Sequence, residues 1–150
     1  MKPIDLFFHW DHIREGLIST INSFSDEELN HVTYPGSWSV GKIILHIASA
    51  EDGWLRYVVN RELSEWPEIY TLENYPDKKT ILQVLGEVHA RTIDYLGTLT
   101  EDDLYVKVKT PWESELPLFW IVWHVVEHEI HHRGELSLIL GTLGREGLDV

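Results

Sequence analysis

This sequence predicts an all-α fold, a four-helix bundle with long connecting loops, and three observations point to it. Four segments repeat apolar residues at three- and four-residue steps. The chain has 150 residues, the size of one domain spanning 1–150, and no Gly/Ser/Pro-rich linker divides it. No run approaches the eighteen apolar residues of a membrane span, so helices this amphipathic must bury their stripes against one another.

The first segment opens at Pro3, which suits an initial helical turn, and carries Leu6, Trp10, Ile13, Leu17 and Phe24 on one stripe, with Thr20 filling its gap and an end near Ser23. The second runs from Ser39, an N-cap, to Asn60, with Val40, Ile43, Ile47, Ala50, Trp54 and Val58 on one face. A third starts near Asp77 and repeats Ile81, Leu85, Val88, Thr92, Tyr95 and Leu99. The fourth extends from Pro117 to Leu143, where Gly144 and Gly147 break it. Ser25-Asp-Glu-Glu28 and Thr100-Glu-Asp-Asp103 read as capped starts of short helical turns, and Tyr105-Val-Lys-Val-Lys109 alternates like a short strand. The loops at 61–76 and 104–116 hold Trp66, Tyr70, Tyr75 and Trp112, placed to line a pocket mouth or to cover the bundle ends. Loops this long leave both up-down order and crossovers open.

Composition removes several functions. Asp and Glu number 25 against 12 Lys and Arg, a net charge of −13, which works against a phosphate backbone, so no nucleic acid partner is expected. The absence of cysteine removes disulfides and thiolate nucleophiles, so any metal must be held by His, Asp, Glu or water. The first twelve residues mix charge and His with apolar residues and lack a secretory signal's apolar stretch, so a cytoplasmic location with no membrane partner is expected.

Nine histidines in so short a chain are the unusual feature, and four fall between 124 and 132. On the fourth helix one stripe, Ile121, Val125, Leu136, Ile139 and Leu143, passes through His128 and His132. A second stripe, Phe119, Val122, Val126, Ile130 and Leu140, lies roughly opposite, implying a central helix or a second contact surface. His128 and His132 thus stand one turn apart on a core-facing stripe, the spacing at which two imidazoles grip one metal. His124 and His131 lie off that stripe. A catalytic site needs a third protein ligand, and His46, His89 and His12 each flank a core stripe on another helix. No Asp or Glu is read on the core stripes that would close the site with a fourth.

His128-Glu129-Ile130-His131-His132 also matches HExxH, the helix of zinc peptidases in which Glu is the general base. The match fails on context, because Glu135 and Leu138 stand where a metzincin needs Gly and His, and only eighteen residues follow His132. Glu129 is expected to face solvent.

Three stretches carry a resemblance over nearly the whole chain. Phe7-Phe8-His9-Trp10, then Trp38-Ser39-Val40 leading to His46-Ile-Ala-Ser-Ala-Glu-Asp-Gly-Trp54, and Trp123-His-Val-Val-Glu-His128-Glu-Ile-His-His132-Arg-Gly-Glu135 together resemble the DinB (DinB/YfiT-like) family. The resemblance implies a four-helix bundle, commonly a homodimer, in which three His bind a divalent metal such as nickel or zinc. Carried over by position, the ligands fall on His46, His128 and His132. Some members of that family are thiol-dependent transferases or isomerases, which implies a low-molecular-weight thiol as co-substrate acting on a small-molecule substrate. One departure is Glu135, where relatives often have Gln. It lies near both ligands on the helix and is positioned to hydrogen-bond one or to deter an anionic substrate. His9, His12 and Trp54 are candidates to line the pocket, and Arg133 to bind a carboxylate. The competing expectation is a non-catalytic, stress-related dimeric bundle whose metal is structural or which binds a small ligand.

Overall fold

The computed structural model describes residues 2–149 and is mostly helical. The first predicted helix is divided into α1, Pro3–Leu6, and α2, Trp10–Asn22. The intervening turn carries Phe7 into the core, 4% exposed with its ring 5.7 Å from that of Trp123, and leaves Leu6 outside. Burial therefore follows Pro3, Phe7, Trp10, Arg14, Leu17, Ile21 and Phe24, a heptad series on which Leu6 has no place and Arg14 does.

Helix α3, Val40–Asp52, begins at Ser39, whose hydroxyl accepts from the Lys42 amide at 3.3 Å. It continues to Val59 as a π-helical segment, Gly53–Val59. Trp66 lies flat against that junction, where a Cβ on residue 53 would come within 2.5 Å of the indole. The same indole donates to Ser49 Oγ at 3.0 Å, and the Tyr70 hydroxyl donates to Asp52 at 2.7 Å, so the 61–76 loop is strapped along α3. Helix α4, Lys78–Thr98, opens on a capping box in which Asp77 accepts from the Thr80 amide at 2.8 Å. Helix α5, Leu118–Thr142, stops two residues before Gly144, whose φ of +80° is a left-handed conformation that glycine adopts without strain. The two acidic capping motifs start 3-10 turns at Glu27–Asn30 and Asp102–Tyr105. Strand β1, Lys107–Lys109, pairs antiparallel with an unforeseen partner, β2, Glu115–Pro117.

Helix α3 packs against α4 and α5, and α2 packs against α5. Two apolar clusters result, one around Leu17, Ile43, Leu85 and Leu136, the other around Trp10, Trp54, Leu96 and Val122. Between them each long helix contributes one charged or titratable side chain. Arg14 Nη2 donates to Glu51 at 2.6 Å and to Glu129 at 2.8 Å, His89 Nδ1 lies 2.9 Å from Glu51, and the Trp10 indole donates to Glu129 at 2.7 Å.

This polar layer corrects three expectations. Glu129 does not face solvent; it is 1% exposed. Acidic residues do stand on core faces, namely Glu51, Asp52 and Glu129, and each is held by an arginine. The two opposed stripes on α5 are one broad buried arc with Glu129 near its centre, while Phe119 and Ile130 are 38% and 39% exposed. Arginines supply the counter-charge that lets these carboxylates occupy core positions, Arg14 for Glu51 and Glu129, Arg56 and Arg91 for Asp52. No described helix is long and apolar enough to cross a membrane.

Candidate metal centre

The Ser39 cap fixes where α3 starts, and Ile43, Ile44, Ile47 and Ala48 then turn its apolar side into the core. His46 falls at the border of that side, half-buried. On α5 the arc through Val125, Glu129 and Leu136 is buried. His132 is inside its edge at 9% exposure and His128, one turn earlier, is half-buried. The pair therefore sits at the margin of the buried face rather than at its middle, as the stripe reading had it. That margin is where α5 meets α3.

There the three side chains converge. The His46 and His128 Nε2 atoms are 3.0 Å apart, and one ring nitrogen from each of His46, His128 and His132 lies within 4.8 Å of the others. Two imidazole nitrogens bound to one zinc at about 2.0–2.1 Å stand roughly 2.9–3.4 Å apart at angles of about 90–110°, so the first pair already has ligand spacing. Burial, then the neighbouring histidines, push the His128 pKa down to about 3. Burial, then His132 and Lys42, also lower that of His46. Both rings are therefore neutral at pH 7 and present lone pairs, as metal ligands must. The donor set fits a divalent ion.

Glu135 Oε2 is 2.8 Å from His132 Nδ1, which leaves Nε2 as that ring's free nitrogen. A carboxylate behind a histidine fixes its tautomer and orientation, the usual support of a metal-bound imidazole. No fourth His, Asp or Glu joins the trio among the described residues. Trp38, just before the Ser39 cap, stands edge-on to His46 at 4.9 Å, with Lys42 Nζ 4.6 Å above its ring. Sequence reasoning gave Trp38 no place at the site, although two helical turns separate it from His46.

The other candidates are dispersed. His12 is exposed and outside the trio, 4.0 Å from Glu15 with its ring near that of His9. His89 belongs to the polar layer. Trp54 is 9% exposed and packs edge-on to Trp112, Trp120 and His124, one ring removed from His128. Arg133 turns toward α2, with Nη1 3.5 Å from the Ile13 carbonyl.

Comparison with known proteins gives a consistent picture. YizA of Bacillus subtilis is 24% identical over 87% of this chain and 80% of its own length. A protein of Oceanobacillus iheyensis named "Putative metal-dependent hydrolase" is 24% identical over 82% of this chain and 76% of its own. One of the same name from Geobacillus kaustophilus is 26% identical over 81% and 74%. In structure, a DinB-like protein from Bacillus cereus superposes with a TM-score of 0.79 at 20% identity, covering 100% of this chain and 99% of that one, and so shares the fold. The model of the DinB superfamily matches residues 9–136, helix α2 through the His128 to Glu135 segment, and the chain belongs to that superfamily.

Proposed function

We propose that the protein is a divalent-metal-dependent enzyme on a four-helix bundle, with His46, His128 and His132 holding nickel or zinc, and that it attacks a small electrophilic substrate with water or a borrowed low-molecular-weight thiol. The carrying observation is the convergence of three imidazoles with no fourth side-chain ligand among the described residues. Structural zinc sites are closed by four protein ligands, whereas catalytic ones use three and keep a position open. A divalent ion held there lowers the pKa of water or of a thiol toward neutrality. The chain's own part is to keep His46 and His128 neutral by burial, to orient His132 through Glu135, and to wall one side with Trp38. The names of the relatives favour water as nucleophile, and the lack of cysteine means that any thiol comes from outside.

A second copy of the chain is the proposed macromolecular partner. Leu6, Tyr105, Phe119 and Trp123, 38% to 67% exposed, surround one apolar depression rather than being scattered.

Metal content of the untagged protein, measured by mass spectrometry after incubation with nickel or zinc and dialysis, tests the site. About one equivalent is expected in the wild type and about a tenth or less in His128→Ala. A wild type that retains less than about a tenth of an equivalent overturns the reading. Ester and amide hydrolysis by the loaded protein, against conjugation of a haloarene with glutathione or bacillithiol, separates water from thiol chemistry.

A further inference from the structure

Beside the three histidines, between the loop 33–38 and the last three turns of α5, lies a cavity of about 240 Å³. Two of its walls are also parts of the histidine site. Trp38 lines it and stands against His46, and Glu135 lines it and holds His132. The cavity is thus built onto the metal centre. Fold geometry keeps it open: His31 and Val40 are joined by a backbone hydrogen bond of 3.0 Å, Val32 and Ser39 pair as a bridge, and Gly36, at a φ of +89°, lets the loop reverse.

The lining is mostly apolar. Trp38, Ile43, Leu138 and Ile139 supply apolar walls, and Thr142, whose hydroxyl donates to the Ile139 carbonyl, is also in the lining. Leu138 is 71% exposed, a large apolar side chain left uncovered at the mouth. Of the lining residues Glu135 alone is charged, and the nearby Lys42 ammonium is placed over the Trp38 ring. At about 30 Å³ per water, the space equals roughly eight waters, enough for a single aromatic ring with one substituent and too little for a peptide. Within the protein's own lining an anion meets the carboxylate of Glu135, which also offsets part of the charge a bound ion would bring, with no arginine or lysine beside it, whereas a neutral or cationic group meets an aromatic wall and a carboxylate.

We propose that this cavity is the substrate subsite of the metal centre and that it selects a small molecule with an apolar body and no negative charge. The assignment rests on reading the three histidines as a metal centre. It also divides the roles if a thiol takes part: glutathione-like thiols, which carry carboxylates, approach from elsewhere, and the cavity takes the electrophile.

The test uses three probes that are poor metal ligands: benzyltrimethylammonium, benzyl alcohol and benzenesulfonate. Each is titrated by calorimetry or ligand-observed NMR into the full chain, with metal content measured on loaded portions of the same samples. The cation and the alcohol are expected to bind, and the sulfonate at least about fivefold more weakly than the cation. In Leu138→Arg, at an exposed position outside the histidine site, the order of cation and sulfonate should reverse with metal content unchanged. Thr142→Trp, which fills the cavity, should abolish all three and provides the test if Leu138→Arg misfolds. Equal binding of sulfonate and cation by the wild type, no binding of any probe, or binding indifferent to both substitutions overturns the proposal. The titrations are made on metal-free protein, where the charge of an ion does not enter, so a wild type that takes up no metal when loaded overturns the metal reading separately.

Discussion

Two neighbours on α5, His128 and Glu129, point into two different polar sites, and their contrast explains much of the molecule. Glu129 enters a layer in which two carboxyls share one cation: Arg14 bridges it to Glu51, His89 leans on Glu51 from the other side, and burial raises the Glu129 carboxyl above its ordinary value. His128 enters a group of histidines that face one another with nothing of opposite charge between them. Buried carboxylates are tolerable when a counter-charge is at hand, so Arg14 holds the layer together without a ligand, although Arg14 Nε, His89 Nε2 and Glu129 Oε1 are buried without a hydrogen-bond partner. Converging lone pairs have no such partner within the protein and fit a cation. The lesson is that histidine count says little; the company each histidine keeps decides whether it braces the fold or awaits an ion. His89, flanking a core stripe just as His46 does, is the illustration.

Breaking the layer should have the largest effect. In Arg14→Met, Glu51 and Glu129 lose their shared cation while remaining buried, and a loss of about 3–5 kcal/mol in urea unfolding is expected. His46→Ala, by contrast, should change the stability of the metal-free protein little while abolishing metal uptake. If the two substitutions were equally destabilising in metal-free protein, the distinction between brace and ligand site would be lost.

Acid titrates the same difference. Burial opposes the charge on Glu51, but Arg14 and His89 outweigh it and hold the carboxyl at about 2 rather than 4.5. A carboxyl depressed in the folded state stabilises the protein fully above its unfolded value, so this contribution is intact above about pH 4.5 and is lost as pH falls toward about 2. Unfolding free energies from urea titrations should therefore decline over that interval, by a few kcal/mol from this group. The decline should be much smaller in Arg14→Met, where the cause of the depression has been removed. An equal decline in both proteins would show that other carboxyls dominate.

Much of this was legible in the sequence where one residue and its neighbours suffice. Ser39, Asp77 and Gly144 marked helix ends because caps are local chemistry, and three- and four-residue spacing located α3, α4 and α5. His128 and His132 were related by helical spacing alone, and the structure brings His46 to them. The polar layer was missed for a physical reason: a charged residue on a wheel reads as surface unless its counter-charge is known, and that counter-charge lies on another helix. A signal was nevertheless present. Arg14 continues the heptad of Phe7 and Trp10, Glu51 stands four residues after Ile47, and Glu129 four after Val125, so charged residues interrupt three apolar stripes. A cation and two anions at core positions of different helices are a pairing hypothesis. The turn at residues 7–9 and the π-helical continuation of α3 were not legible, because each depends on a side chain arriving from afar, Phe7 on Trp123 and Trp66 on Gly53.

The smallest expected effect lies where the two sites come nearest in kind, at Glu135, a carboxylate that partners a histidine as Glu51 partners His89, but at 43% side-chain exposure rather than 1%. Solvent screens its charge, so its contribution to stability should be slight, and its role is to hold the His132 ring. Glu135→Gln keeps an acceptor oxygen at the same reach and removes the charge, while Glu135→Ala removes both. If orientation is what Glu135 supplies, Gln should hold metal within a few-fold of wild type and Ala about tenfold more weakly, with both melting like the wild type when metal-free. If Gln weakened metal as much as Ala, charge would be the operative property, and the partner of His132 would resemble Glu51 more closely than its exposure suggests.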